Sequence, residues 1–302
     1  MGADYNLYEK DLSLCSALDG VEKSKIRGSL SNEKERFKMG ITRAIIGGTG
    51  VYDPYMLENV REMKVETPYG MITPVVGEFK GEKVAFLPRH GSGHSVPPHR
   101  VNYRANIWGL RSLGVERIIS TTAVGSLNPE MAPGDVVVID QFLDFTKDRP
   151  HTFFEGGEFG VVHVDYTEPY CPEVRGVILQ SASNLKLKAH NHGVYVCTEG
   201  PRFETSAEIK MFSKLGGELV GMTNVPEVVL AREAGICYAT ISIVTNFAAG
   251  IAAGPLTHEE VVQIMAENTD KLKKLIISSL ELMPKERGCD CQKAVPDLSK
   301  FF

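Results

Sequence analysis

The sequence predicts an α/β fold: a single domain with a mostly parallel twisted sheet flanked by helices. Three observations carry that expectation. Short apolar runs alternate with stretches of helical spacing through residues 40–284. One run, Val136 to Ile139, is apolar without alternation, as in a strand covered on both faces. No linker composition and no repeat of solenoid period divides the chain.

Taken in order, residues 1–39 are charged and lack a clean apolar period, so they read as an extension, partly helical or disordered. Arg43 to Ile46 is a strand that runs into the glycine turn Gly47–Gly50. Met71 to His90 reads as two strands joined near Lys80-Gly81, a hairpin. Val101, Ile107, Trp108, Leu110 and Leu113 fall at helical spacing, and Gly114 ends that helix. Glu116 to Ser126 reads as a strand and a polar turn, and Gly134 to Thr146 as one further strand. Arg149 to Tyr170 has little periodicity, which suits a long functional loop.

The second half alternates more tightly. Helices are expected at Pro172–Leu187, Ser206–Leu215 and Pro226–Ala234, and strands at Val194–Gly200, Leu219–Met222 and Cys237–Asn246. The last helix, His258–Met283, opens with Thr257 as N-cap and Glu260 at capping-box spacing. Residues 285–302 form a C-terminal tail.

With 43% hydrophobic and 24% charged residues among 302, the composition is that of a soluble globular protein. A net charge of -5 argues against a nucleic-acid partner, which needs a basic face. No apolar run reaches bilayer length, and the polar N-terminus is no secretory signal. The expectation is a cytoplasmic protein with neither nucleic acid nor membrane as partner. Cys15, Cys171, Cys197 and Cys237 are isolated in sequence, and the last two read as buried free thiols. Cys289 and Cys291 form a C-x-C pair without evident further ligands nearby, so no metal is expected. A redox pair, a strained disulfide and two inert thiols all remain open for them.

Chemistry concentrates in two clusters of polar residues. The first comprises the turns GGTG (Gly47–Gly50), PRHG (Pro88–Gly91) and TTAVG (Thr121–Gly125), each placed after an apolar strand. In open α/β sheets ligands sit beyond the carboxyl ends of strands. The glycines allow close backbone approach, the Thr49 and Thr122 hydroxyls donate, and Arg89 brings a planar fork suited to phosphate. His90 and the backbone at Ala123 add donors. Neither a P-loop lysine nor a G-x-G-x-x-G fingerprint is present, which disfavours an NTPase and a dinucleotide-binding oxidoreductase. The second cluster, Thr198 to Asn246, sets Glu204, Thr223 and Asn246 among apolar segments, where polar groups are costly unless partnered by protein or ligand.

These motifs resemble the trimeric nucleoside phosphorylases. IIGGTGVYDP, RHGSGHSVPPHRVNYRANIWGL, TTAVGSL, PGDVVVIDQFLDFT, TEGPRFET and MTNVPEVVLAREAGICYATISIVTN carry the likeness, nearest to the methylthioadenosine phosphorylase branch. The resemblance implies a phosphorylase domain, a homotrimer or dimer of trimers, no cofactor, and inorganic phosphate as cosubstrate. It assigns phosphate to Thr49, Arg89, His90, Thr122, Ala123 and Thr223. Met222 would lie under the ribose, Phe203, Phe247 and Ala248 beside the substrate, and His163 in the neighbouring subunit's site. Asn246 and His90 would be the catalytic residues. A C-x-C near the C-terminus also resembles a disulfide device of heat-stable relatives.

The base pocket departs from that branch. Where methylthioadenosine phosphorylases carry a serine and an Asp-x-Asp pair, this chain has Glu204 and Asn246-Phe247-Ala248, as in purine nucleoside phosphorylases acting on inosine and guanosine. The chemistry agrees, since a 6-oxopurine offers N1–H to a carboxylate, and O6 and N7 to an amide. His258 matches a histidine that meets the ribose 5′-hydroxyl where the methylthioadenosine branch is apolar. Taken singly, Glu204 also suits a helix N-terminal charge, Asn246 a satisfied strand-end amide, and His258 a solvated first-turn residue. The expected reaction is phosphorolysis of 6-oxopurine nucleosides. Methylthioinosine, then methylthioadenosine, are the alternative substrates, and a non-catalytic nucleoside sensor is the rival of another class.

Overall fold

Ile41–Gly47 forms β1, buried at every position except Thr42, as its unbroken apolar run requires. In the computed structural model the described residues are 40–302 without 52, 53, 55, 92, 94, 158, 159, 252, 253, 255, 297, 299 and 300. The N-terminal extension and Cys15 lie outside them.

Strand β1 pairs in parallel with β6 (Glu82–Pro88) on one side and β7 (Arg117–Ser126) on the other. Strand β13 (Cys237–Phe247) joins β7 in parallel, so a four-strand parallel centre carries the polar turns at one end. Beyond β6 the sheet continues antiparallel through β5 (Val75–Phe79) and β2 (Glu58–Glu62). The expected hairpin turns at Lys80 and Gly81, both at positive φ. A small separate ribbon pairs β3 (Val65–Thr67) with β4 (Gly70–Ile72).

Two readings of the sequence need correction. The segment read as one strand after Gly134 is two. β8 (Val136–Val138) runs antiparallel to β13 and pairs with β10 (Ala189–His190), whereas β9 (Gln141–Phe145) runs parallel to β11 (Val194–Thr198). The chain changes partner at Asp140, whose carboxylate accepts the Gly193 N–H at 3.0 Å. Likewise TTAVGS is no turn: β7 runs straight through it, because β12 (Leu219–Gly221) and the end of β13 both pair with its second half.

Helices cover both faces. α1 (Tyr103–Ser112) and α4 (Asn224–Glu233) pack on one side through Trp108, Leu110, Val228 and Leu230. α2 (Pro172–Asn184) and α5 (His258–Leu282) cover the other through Ile178, Leu272 and Ile276. α3 (Ser206–Lys214) closes a smaller cluster on β11 and β12 through Ile209 and Phe212. Thr257 accepts from Glu260 N at 3.1 Å to start α5, and a reciprocal capping box forms at Thr205 and Glu208 to start α3. Arg149 to Tyr170 holds no strand or α-helix among its described residues, as expected. The C-terminal segment folds back onto the body, with the Phe302 ring 4.5 Å from Trp108.

One buried ion pair ties the centre together. Arg89, just past β6, forms a bidentate bridge to Glu227 of α4, Nε to Oε2 and Nη2 to Oε1, both at 2.7 Å, with both side chains fully buried. Ser120 and Tyr238 also donate to Glu227, at 3.0 and 2.7 Å, and Arg89 donates to the Thr121 carbonyl at 2.9 Å. Burial alone would lower the Arg89 pKa; the charge and hydrogen bonds of Glu227 more than reverse this and raise it. Removing one partner leaves a desolvated charge, at a cost of about 3–5 kcal/mol. Glu227→Gln should therefore lose about that much in denaturant unfolding. The double variant Arg89→Met with Glu227→Leu should lose less than the sum of the two singles.

Candidate active site

A cavity of about 450 Å³ lies at the carboxyl ends of β1, β6, β7 and β13. Its walls include Thr49, Arg89, His90, Thr122, Ala123, Phe203, Glu204, Met222, Thr223, Asn246, Ala248 and His258. Of the side chains expected to meet phosphate or nucleoside, Phe247 and His163 do not line it. Phe247 alternates with its neighbours Asn246 and Ala248 and so leaves by the other face. His163 is exposed on the long loop.

The glycine turn is tight for a reason. A Cβ on Gly47 would strike the Val51 carbonyl, and one on Gly48 the Thr121 carbonyl. Gly48 N–H donates to Thr121 Oγ1 at 2.9 Å, which sets Thr49 at the cavity wall. The Thr122 hydroxyl lies 2.9 Å from Ser242 Oγ, so one of the two hydroxyls donates to the other and the second keeps its proton for another acceptor. Thr223, the N-cap residue of α4, makes no side-chain cap bond, and its backbone N–H donates to Tyr195 Oη at 3.3 Å. The Nδ1 of His90 lies 2.8 Å from the Val96 carbonyl; since a carbonyl only accepts, Nδ1 carries the proton.

Arg89 lines the cavity but spends most of its fork within the protein. A guanidinium carries five N–H groups in a planar fork. Here Nε and one edge of that fork are taken by Glu227, Nη2 also donates to Ser120 Oγ at 2.5 Å, and Nη1 donates to Thr121. The bidentate face thus points inward, and its charge is offset by Glu227. The residual donor edge on Nη1 lies towards Gly48.

Glu204 and Asn246 are both buried, at 9% and 4% exposure, and both line the cavity. Glu204 sits before the α3 cap, and the helix-start charge is Glu208 instead, with Arg202 bound to it at 2.7 Å. Thr198 Oγ1 donates to Glu204 at 2.6 Å. Burial raises the Glu204 pKa against the opposing effect of that hydrogen bond. The Asn246 side-chain amide makes no hydrogen bond with another described residue. A bulge explains its aim. Val244 pairs with Val124 but Asn246 with Gly125, so Thr245 is the extra residue, held by its hydroxyl to the Val124 carbonyl at 3.2 Å. Consecutive residues Thr245 and Asn246 then both line the cavity, which regular alternation forbids. Gly125 makes room, since a Cβ there would sit 3.0 Å from Asn246 Oδ1.

The sequence did not signal Thr245 or the apolar Leu256 and Val261 beside His258. Nor did it signal Arg149. From the long loop Arg149 donates to the carbonyls of Met222 and Val225 at 2.8 Å, Thr198 at 3.1 Å and Glu199 at 2.6 Å. It fixes the ends of β11 and β12, and with them Thr198 and Met222. An arginine in an aperiodic stretch gives no hint of such a place.

The arrangement offers an uncharged set of hydroxyl and backbone donors near Arg89, with a carboxylate in the segment between β11 and α3 and an amide at the end of β13. Such a set of groups suits a small anion beside a polar heterocycle. Residues 42–281 match the Phosphorylase superfamily. A probable 6-oxopurine nucleoside phosphorylase of Dictyoglomus turgidum is 59% identical over 84% of this chain and 96% of its own length. The 6-oxopurine nucleoside phosphorylase of Pyrococcus furiosus is 57% identical over 83% and 97%. Methylthioadenosine phosphorylase from Schistosoma mansoni in complex with adenine superposes with a TM-score of 0.79 at 34% identity, over 84% of this chain and 96% of that one. The fold, the cavity at the strand ends and a match across nearly all of the described body lead to one conclusion: the chain belongs to the phosphorylase superfamily.

Proposed function

We propose that the protein catalyses reversible phosphorolysis of 6-oxopurine nucleosides, inosine and guanosine, to free purine and ribose 1-phosphate, a purine-salvage reaction. The observation that carries this reading is that Glu204 and Asn246, buried on separate elements, line one cavity with Arg89. The naming of relatives at 57–59% identity as 6-oxopurine nucleoside phosphorylases supports it.

Phosphate would be held by Thr49, Thr122, Thr223, the backbone at Ala123, the Nη1 edge of Arg89 and His90. The base would give N1–H to the Glu204 carboxylate and receive the Asn246 amide at O6 and N7. As the bond to N9 stretches, the ribose becomes cationic and the purine gains electrons. Asn246 stabilises the purine, and phosphate stabilises the sugar before attacking C1′. Catalysis then rests on placement and electrostatics, with no covalent enzyme intermediate. Phosphate is the cosubstrate, and no cofactor is needed for this chemistry.

Leu256 and Val261 beside His258 favour one second reading, methylthioinosine, whose 5′ end is apolar. Assembly as a homotrimer or dimer of trimers is proposed on the family likeness, and His163, exposed and outside its own cavity, suits a role in a neighbouring site. A cytoplasmic location fits the same reading. Among the described residues no helix is long and apolar enough to cross a membrane.

A panel of inosine, guanosine, adenosine, methylthioadenosine and methylthioinosine, assayed with and without phosphate, tests the proposal. Phosphate-dependent base release should be fastest with inosine or guanosine; faster release from adenosine would overturn it, and no release at all would leave a sensor. Asn246→Asp should lower inosine kcat by about 10²–10³-fold, on the scale of losing one transition-state donor, and shift preference towards 6-aminopurines. Glu204→Gln should cost about 1.5–3 kcal/mol in kcat/KM for inosine, the worth of a hydrogen bond to a charged group. Because burial raises the Glu204 pKa, protonation removes the acceptor as pH falls through that raised value. Inosine kcat/KM should therefore fall on the acid side starting above the ordinary carboxylate range, and Glu204→Gln should abolish that limb.

A further inference from the structure

Four thiols that the sequence scatters meet at the end of β13 remote from the cavity. Cys171 is the N-cap of α2, Cys237 begins β13, and Cys289 and Cys291 follow α5. Cys237 and Asn246 stand nine positions apart on β13, roughly 30 Å at the usual strand rise. The four Sγ atoms all lie within 4.8 Å of one another. Cys171 and Cys289 are 3.6 Å apart, and Cys237 and Cys289 3.3 Å. The separations exceed the S–S bond of about 2.05 Å, and all four thiols are free. They approach instead the edge of about 3.8 Å that a tetrahedron with metal–sulfur bonds of about 2.3 Å requires. The surroundings suit negative sulfur. Val174 N–H donates to Cys171 Sγ at 3.5 Å from the first turn of α2, and Arg232 Nη1 lies 3.9 Å from Cys291 Sγ. Cys171, Cys237 and Cys291 are buried and Cys289 is half-buried, and four sulfur ligands would fill a tetrahedral shell with no position left for a reacting water.

We propose that Cys171, Cys237, Cys289 and Cys291 bind one zinc ion as a closed, structural tetrathiolate that fastens the C-terminal segment to the starts of α2 and β13. The four thiol protons leave to solvent on binding, no redox change occurs, and Arg232 with the α2 N-terminus offsets part of the charge. The site takes no part in phosphorolysis.

The test is metal analysis and native mass spectrometry of the full-length chain purified under reducing conditions without chelator, with zinc-edge X-ray absorption. One zinc per chain with four sulfur neighbours at about 2.3 Å is expected. Cys291→Ser and Cys171→Ser should each lose the zinc and lower Tm by roughly 5–10 °C. Nucleoside turnover well below Tm should stay unchanged. Zinc sulfate added to metal-stripped wild-type protein should restore Tm. A mass showing two disulfides and no metal, bound iron in place of zinc, or four free thiols that take up no added zinc would each overturn the proposal. The spectroscopy uses the unaltered chain, so the answer does not hang on whether a variant folds.

Discussion

The bridge between Arg89 and Glu227 is the constraint around which the rest of the molecule is arranged. It joins the end of β6 to α4, and through Ser120 and Tyr238 it also engages β7 and β13. Those are the elements whose ends line the cavity. A charge pair this deep is weak as a source of net stability, since desolvation of both groups consumes most of the Coulombic gain. Its use is orientational. Few other placements satisfy a bidentate fork, a serine and a tyrosine at once, so the strand ends are held in register with the start of α4.

On the proposed function, this arrangement would also set the polarity of the phosphate subsite. An arginine with its fork open to the cavity would hold a dianion tightly and release it slowly. With the fork turned to Glu227, an anion bound as proposed would meet mainly neutral donors: Thr49, Thr122 and Thr223. Neutral donors fixed by the backbone bind without large reorganisation and let the product leave. At the other end, Glu204 keeps a buried carboxylate whose one side-chain hydrogen bond among the described residues comes from Thr198. Such a group gains most when a ligand N–H arrives, which would let it discriminate between base edges in the proposed reaction.

Strand and helix positions were legible because their apolar spacing is strong, as with β1, β13 and α5. The break at Asp140 was not, because the apolar runs Val136–Ile139 and Phe142–Leu143 follow each other without glycine, proline or a turn signal, and only a partner change divides them. Most of the cavity lining could be read from GGTG, Arg89-His90, Glu204 and Asn246, since polar groups at strand ends stand out against their neighbours. The hidden half of the story was long-range. Glu227 sits 138 positions from Arg89, Arg149 caps carbonyls from an aperiodic loop, and Cys171 and Cys237 meet a C-x-C pair that shows no partners in sequence. Spacing along a chain reports faces of one element; it carries nothing about which distant element will face them.

The extra residue at Thr245 has a consequence for how such a protein can diverge. Before it, β13 is locked side by side with β7 over eight successive pairs, Cys237 to Val244, and any shift there would turn the whole hydrophobic face. After it, the strand starts a new register. The tip that reads the ligand is therefore decoupled from the tract that builds the core. Substitutions past Val244 can retune chemical preference while the load of folding stays with residues that do not change.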